Sequence, residues 1–123
     1  MFISIDGDDV GRNLELYILD EQIGDLEIFA KKLKTRFEWL ANNLSCLLEA
    51  QVHLLGGDSI LASCPLNPKV FQILEELRIE FQKQGLPSIS IGTGNTAREA
   101  YLALKYAKLR GKNRLVTFED IQQ

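Results

Sequence analysis

The fold is decided by residues 47–64, which read LLEAQVHLLGGDSILASC. Residues 47–55 and 60–64 are two short β-prone runs, and the GGDS sequence of residues 56–59 between them is typical of a tight turn. This pattern predicts a β-hairpin whose second strand ends where Pro65 follows. The segments on either side must pair with this hairpin or pack against it.

On the N-terminal side, the sequence predicts one strand and two helices. In the strand FISID, Ile3 and Ile5 point to one face of a sheet. Ser4 and Asp6 point to the other face, on which a ligand can lie. A short amphipathic helix over residues 13–20 comes next. A longer helix follows, with apolar residues at spacings of three and four: Leu26, Phe29, Leu33, Phe37, Leu40 and Leu44.

On the C-terminal side, the sequence predicts a helix, a strand, a second helix and a last strand. Asn67 is a suitable N-cap for the first helix, with Pro68 at the first helical position. Thr96 and Glu99 have the spacing of a capping box at the start of the second helix. The two predicted strands cover residues 88–92 and 114–118.

The predicted order of elements is β, α, α, β, β, α, β, α, β, which contains the split βαβ pattern with a hairpin in its middle. We therefore expect an α+β fold with a ferredoxin-like antiparallel central sheet. Helices are expected on one face of this sheet, and the other face is expected to be open. The length of 123 residues fits a single domain, residues 1–123.

The composition is that of an ordinary globular protein, with 46% apolar and 25% charged residues. The net charge of −3 argues against double-stranded nucleic acid as the main partner, because proteins that bind it present a basic surface. No apolar run approaches the roughly 18 residues that a membrane span requires, and the first strand lacks the basic segment of a signal peptide. Cys46 and Cys64 form one pair at most, which favours a reducing, cytoplasmic location.

Two acidic residues that are far apart in the sequence are expected to meet. The first strand and the second hairpin strand are antiparallel neighbours in this arrangement, so Asp6 and Asp58 lie at the same end of the sheet. Converging carboxylates repel each other unless a cation neutralises them, and oxygen ligands select Mg²⁺ or Mn²⁺. Such an ion suits phosphoryl transfer, and Gly56 and Gly57 let the backbone approach a phosphate. The alternative is that Asp58 is only a turn residue and Asp6 belongs to a solvated acidic loop.

Three segments, taken in order, resemble the GGDEF/palm group of nucleotide cyclases and polymerases. Residues 6–11, DGDDVG, are similar to the segment that follows the first palm strand in the polymerase subunit of type III CRISPR complexes. Residues 56–59, GGDS, stand where these families carry Gly-Gly-Asp-Glu or Gly-Gly-Asp-Asp. Residues 103–113, ALKYAKLRGKN, resemble the segment that closes GGDEF domains. The matches span nearly the whole chain. As a whole, the chain looks most like the minimal CRISPR polymerase family, mCpol.

The resemblance implies a palm fold and assigns roles to five residues. Asp6 and Asp58 fall on the metal-binding, catalytic carboxylates of the family. The backbone carbonyl of Gly7 falls on a third metal ligand. Lys108 and Lys112 fall on the basic pair that holds the triphosphate.

Two departures from the family pattern affect the expected site. Ser59 stands where the family has Glu or Asp, although it is still expected to lie beside the nucleotide. Either Asp8 or Asp9 is expected to supply the missing charge for a second ion, unless that ion binds weakly. The positions that read guanine in GGDEF cyclases are Leu14 and Ile23 here. Neither side chain can hydrogen-bond a base, which favours ATP over GTP.

The resemblance therefore implies a metal-dependent nucleotidyltransferase that makes an adenine-based cyclic di- or oligonucleotide for anti-phage defence signalling. Because ring closure needs two triphosphates that face each other, a homodimer or larger homo-oligomer is expected. One alternative is a catalytically weak or inactive palm domain that acts as a nucleotide sensor, which Ser59 favours. Another is an interaction module with a ferredoxin-like fold and no ligand.

Overall fold

The computed structural model describes residues 1–83 and 85–121, and residues 84, 122 and 123 of the predicted domain 1–123 lie outside this part. Its strands and helices follow the predicted order, with a short fifth helix added at the end. They are β1 (Phe2–Gly7), α1 (Val10–Leu19), α2 (Ile23–Leu48), β2 (Gln51–Leu55), β3 (Ser59–Ser63), α3 (Val70–Gln82), β4 (Ile89–Gly94), α4 (Ala97–Leu109), β5 (Leu115–Thr117) and α5 (Phe118–Ile121). Among these helices, none has the length and apolar character needed to cross a membrane.

The strands form one sheet in the order β2-β3-β1-β4-β5. At its centre, β1 runs antiparallel to both β3 and β4, while β5 lies parallel to β4 at one edge. The hairpin of β2 and β3 contains an irregularity between Val52 and Leu54. The α+β class and the antiparallel central sheet are therefore confirmed.

One face of the sheet carries the main hydrophobic core. Ile3 and Ile5 of β1 are fully buried there, as the alternation of this strand predicts, and α2 and α3 cover them. The rings of Phe37 and Phe81 meet edge to face, with 5.1 Å between their centroids, and so join α2 to α3. This packing fixes β1, and with it the position of Asp6 near the end of the strand.

The opposite face is partly covered by α4, so the prediction of helices on one face only is wrong. Gly92 of β4 pairs with Ser4 on this face. A Cβ atom on Gly92 would lie 2.2 Å from the backbone nitrogen of Leu104 and 2.3 Å from the carbonyl oxygen of Ala100. Gly94 has the same relation to α4, since its Cβ would lie 2.8 Å from the nitrogen of Ala100. The helix backbone therefore lies directly on the strand, a contact that only glycine permits.

The position of α4 on the face opposite α3 reverses the hand of one crossover connection. The strands β3, β4 and β5 run in the same direction, and the crossovers through α3 and α4 both step toward the β5 edge. Because α3 and α4 lie on opposite faces, these two crossovers have opposite hands. About 98% of such connections are right-handed, so one of the two departs from the usual rule.

Local signals in the sequence locate the helix ends to within a few residues. In α4, the hydroxyl of Thr96 accepts the backbone N–H of Glu99, which confirms the predicted cap. The helix α2 extends to Leu48, into the segment predicted as strand, and ends at Glu49 in a left-handed conformation. The helix α3 begins at Val70, later than predicted.

Candidate active site

The end of β1 and the turn between β2 and β3 lie side by side. Asp6 is paired with Ser59 in the antiparallel register, and the backbone N–H of Gly7 donates to the carbonyl of Asp58 over 2.8 Å. The predicted meeting of Asp6 and Asp58 at one end of the sheet is therefore confirmed. Their roles in metal binding and catalysis remain predictions.

The glycines at this end of the sheet differ in their surroundings. A Cβ atom on Gly7 would lie 2.7 Å from Cγ2 of Val10, so this position is enclosed. Gly56 donates its N–H to the carbonyl of Ser59 over 2.8 Å, and its Cβ would lie 2.8 Å from the Oγ of Ser59. A Cβ on Gly57 would have no neighbour within 4 Å. The turn is thus tightly closed at Gly56 and accessible to a ligand at Gly57.

The ammonium group of Lys108 reaches the same place from the last turn of α4. Its Nζ donates to the carbonyl oxygen of Gly7 and to Oδ1 of Asp8, both over 2.8 Å, and lies 3.3 Å from Oδ2 of Asp6. We call the place where Asp6, Gly7, Asp58 and Lys108 meet the acidic corner. Lys108 is therefore next to the predicted metal ligands, and its charge is directed at their oxygen atoms.

Asp6 is half-buried, and its surroundings raise the pKa of its carboxyl above the ordinary value. Burial raises the pKa of the Asp6 carboxyl, the ammonium of Lys108 lowers it in part, and the charge of Asp58 raises it again. The net direction is upward. Among the described residues, no ion pair engages the carboxylate of Asp58. The acidic corner therefore has an excess of negative charge that a further cation would relieve.

Asp8 does not fit its predicted role as a ligand for a second ion. Its buried carboxylate accepts hydrogen bonds from the hydroxyls of Ser90 and Ser88, from Nζ of Lys108 and from the backbone N–H of Asn113. Burial by itself raises the pKa of Asp8, but these hydrogen bonds hold it below its ordinary value. Two donors on each oxygen fill the acceptor sites of the carboxylate, so Asp8 ties the loop after β1 to β4 and α4.

We expect Asp8→Asn to lower the free energy of unfolding by about 3 kcal/mol, because it removes a buried charge and turns an acceptor into a donor that faces other donors. Urea denaturation without metal or nucleotide measures this change. Asp9→Asn is the matched control, since Asp9 is exposed and its pair with Lys112 is worth less than about 1 kcal/mol. Equal midpoints for the two variants would show that the Asp8 network does not hold the fold.

A helix N-terminus and a second lysine lie next to the acidic corner. The helix α1 begins at Val10, and its N-cap Asp9 makes no side-chain hydrogen bond to the first turn. The N–H groups of this turn are therefore free to meet an anion, which the helix dipole also attracts. A Cβ on Gly11 would meet nothing within 4 Å, so the turn is accessible. Asp9, also predicted for a second ion, is paired with Lys112 instead.

The donors that remain for a metal ion are the carboxylates of Asp6 and Asp58 and the carbonyl of Gly7. All three are hard oxygen ligands, the type that Mg²⁺ and Mn²⁺ prefer, so the residues fit such an ion. In the described part of the chain, no group of three or more His, Cys, Asp or Glu side chains could hold a metal by itself. Oxygen atoms from the backbone and from a bound phosphate would therefore have to complete the coordination.

The two positions predicted to exclude guanine lie within α1 and at the start of α2. Leu14 packs against the main core, and Ile23 is half-exposed at the start of α2. A hollow of about 370 Å³ beside α1 is lined in part by Asn13, Tyr17 and Phe29. The rings of Tyr17 and Phe29 lie 5.7 Å apart and give this hollow an aromatic side.

Comparison with known proteins relates the chain to one domain family and to one fold. The family model of the minimal CRISPR polymerase domain, mCpol, matches residues 2–118. Among individually curated proteins, none matches the chain. The GGDEF domain of DgcB from Caulobacter crescentus, in complex with c-di-GMP, is 18% identical with a TM-score of 0.63, over 96% of this chain and 77% of that one. The active GGEEF domain of a diguanylate cyclase from Vibrio cholerae is 20% identical with a TM-score of 0.60, over 95% and 81%. This likeness confirms the predicted GGDEF-like palm fold.

Proposed function

Because the chain belongs to the minimal CRISPR polymerase domain family, we propose that it joins nucleoside triphosphates into a cyclic di- or oligonucleotide by metal-dependent nucleotidyl transfer. Membership of this family supports a nucleotide cyclase or polymerase type of activity. An adenine-based product and a role in anti-phage signalling are part of the proposal. The observation that carries it is the acidic corner, where Asp6 and Asp58 meet beside the ammonium of Lys108.

In this proposal, Asp6, Asp58 and the carbonyl of Gly7 hold Mg²⁺ or Mn²⁺. When bound, such an ion lowers the pKa of a sugar hydroxyl and offsets the charge of the phosphates. The protein itself holds the two carboxylates in place, since the pairing of β1 with β3 and the hydrogen bond from Gly7 to Asp58 tie both to the sheet. Ser59 adds a neutral hydroxyl beside them.

The triphosphate is proposed to lie between the N-terminus of α1 and the C-terminal end of α4. The N–H groups of α1 can donate to phosphate oxygens, and Lys108 and Lys112 add two positive charges. The sugar hydroxyl oxygen of one nucleotide then bonds to the α-phosphorus of another, and its proton passes to solvent. The bond from this phosphorus to the oxygen it shares with the β-phosphate breaks, and pyrophosphate leaves. Gly57 lets the turn lie close to the phosphates, while Gly56 allows the tight contact with Ser59 that closes the turn.

A cyclic dinucleotide forms only when the same kind of phosphodiester bond is made twice. Each chain carries one acidic corner, so two chains related by a two-fold axis would present two corners to one pair of nucleotides. We therefore propose a homodimer or larger homo-oligomer as the active form. Specific activity should rise with protein concentration over the range in which light scattering detects assembly. A constant specific activity from a monomer would contradict this.

The experiment that tests the function incubates the purified protein with ATP, with GTP and with an equal mixture of both. Each reaction contains Mn²⁺, and the products are separated by mass. We expect a cyclic product, and from the mixture a product dominated by adenine. The apolar Leu14 and Ile23 would leave the polar edge of guanine unpaired, at roughly 1–3 kcal/mol per group. A product dominated by guanine would refute the base preference alone.

A nucleotide sensor without turnover is the second candidate. The position of Lys108 favours it, since an ammonium group that remains on Asp6 and Gly7 competes with a metal ion. Ser59, in place of a second acid, favours it as well. In the same experiment, a triphosphate that binds and is recovered unchanged would support the sensor. Absence of both binding and product would leave an interaction module.

A further inference from the structure

A groove of about 530 Å³ starts at the acidic corner and runs between α4 and the sheet. The helix α4 lies over β4 and β1, and the same face of β3 and β2 is not covered by it. Asp6 and Lys108 line one end of the groove, and Arg98 lines it near the start of α4. From Arg98 to Lys108 the helix rises by about 15 Å, which is long enough for a nucleotide.

The charge of the groove is one-sided. Arg98 and Lys105 line it together with Lys108, and Asp6 is the single carboxylate among the described residues that line it. In the part of the chain that the structure describes, no ion pair engages Arg98 or Lys105. Two exposed cations without a carboxylate partner on one side of a groove are complementary to an anion, such as a phosphate.

The remaining surface of the groove is apolar and aromatic. Leu54 and Leu61 of the hairpin form its floor, and Leu104 and Tyr101 of α4 form its wall. Tyr101 and Leu54 are each about half exposed, at 51% and 57%. The Nζ of Lys105 lies 5.2 Å from the centre of the Tyr101 ring, so a cation and an aromatic ring are presented together. A ligand with a flat apolar part and a phosphate fits this combination.

We propose that this groove binds the acceptor nucleotide, whose sugar hydroxyl attacks the triphosphate held at α1. The base lies against Tyr101 and the apolar floor, the phosphate lies at Arg98 and Lys105, and the sugar points toward Asp6. This inference rests on the proposed function and adds a second ligand site to each chain, which serves the first of the two bonds. For ring closure, the triphosphate of the joined acceptor would then move from the groove to the acidic corner of the partner chain. The acceptor needs no triphosphate of its own for the attack, so a nucleoside monophosphate can serve as the acceptor and as a probe of the groove.

The test uses AMP as the probe and the variant R98Q/K105Q, in which both changes are at exposed positions of α4. Titration calorimetry should show AMP binding weakened by about tenfold or more, the loss expected for charge-assisted contacts. The control K31Q/K34Q removes two exposed cations of α2 and should bind AMP like the wild type. Circular dichroism checks that each variant is folded.

A second measurement uses AMP as an acceptor that cannot be closed into a ring, in the presence of ATP and Mn²⁺. The hydroxyl of AMP bonds to the α-phosphorus of ATP and pyrophosphate leaves, which gives a linear dinucleotide with a 5′-monophosphate that cannot close into a ring. We expect the wild type and K31Q/K34Q to form this dinucleotide. At the same AMP concentration, R98Q/K105Q should form at least about tenfold less of it.

The possible outcomes test the groove separately from the proposed function. Equal AMP binding by the wild type and R98Q/K105Q would overturn the groove as an acceptor site, while turnover of ATP by the same proteins would leave the proposed function standing. A short oligoadenylate that binds far more tightly than AMP, and depends on Arg98 and Lys105, would overturn it in favour of an RNA strand. No binding of either AMP or ATP to the wild type would refute the proposed function and the groove together.

Discussion

Asp58→Asn is expected to remove nearly all turnover while the protein remains folded. The carboxylate of Asp58 takes part in no ion pair among the described residues, so its loss leaves no partner group unpaired there. Its backbone carbonyl keeps the hydrogen bond from Gly7, and Asn is tolerated in turns as well as Asp. The expected loss in kcat is at least on the order of a hundredfold, the range for one group that stabilises developing charge.

Two measurements check this expectation. The rate of product formation from ATP should fall, and the affinity for Mn²⁺, measured without nucleotide, should fall with it. The thermal midpoint of the metal-free protein should stay close to that of the wild type. Asp20→Asn, at an exposed position after α1, is the control and should change none of these. Wild-type turnover by Asp58→Asn would refute the two-carboxylate site.

Gly92→Val is expected to destabilise the protein by about 3 kcal/mol or more, because its side chain has no room. The Cβ alone would lie 2.2 Å from the backbone nitrogen of Leu104, and backbone atoms cannot move aside as the end of a side chain can. The helix α4 would have to lift from the sheet. Since α4 carries Lys108, a folded fraction of this variant should also lose activity. Urea denaturation followed by circular dichroism measures the change.

Gly24→Ala is the matched control for this prediction. Gly24 lies within α2, and a Cβ there would meet nothing within 4 Å. Alanine in this helical position should therefore stabilise the protein by about 0.5–1 kcal/mol. If Gly92→Val unfolds at the same urea concentration as the wild type, α4 does not lie on β4 as described.

The features predicted correctly from the sequence are those that depend on local patterns. A GGDS turn between two β-prone runs specifies a hairpin, and the hairpin fixes the antiparallel register that brings Asp58 to Asp6. The cap of α4 depends on Thr96 and Glu99, which are three residues apart. In each case the residues that make the contact are either close in sequence or brought together by strand pairing alone.

The position of α4 could not be predicted in the same way, although the sequence contains a signal for it. Gly92 and Gly94 alternate along β4, and Ala100, Ala103 and Ala107 recur along α4, so both surfaces are flat enough for close contact. Small residues at such spacings indicate a close approach of two backbones. They do not specify the face of the sheet, and the hand of the crossover, which usually specifies it, is reversed for one of the two connections here.

The role of Asp8 was missed for a different reason. In the sequence it is one of two adjacent acids in the loop after β1, and nothing local separates it from Asp9. Its partners lie 80 or more residues away, in the segment before β4, in β4, in α4 and in the loop after α4. Ser90, a polar residue between two buried isoleucines, is the signal that points to a buried polar partner.

The contact of Lys108 with Gly7 and Asp6 has a thermodynamic consequence. One ammonium group cannot neutralise the acidic corner and a triphosphate at the same time, so a metal ion that enters this corner does so by exchange with Lys108. A triphosphate that draws Lys108 away would therefore increase the affinity for the proposed metal ion. By linkage, the metal would increase the affinity for the triphosphate by the same factor, so that the proposed ion and nucleotide would bind cooperatively.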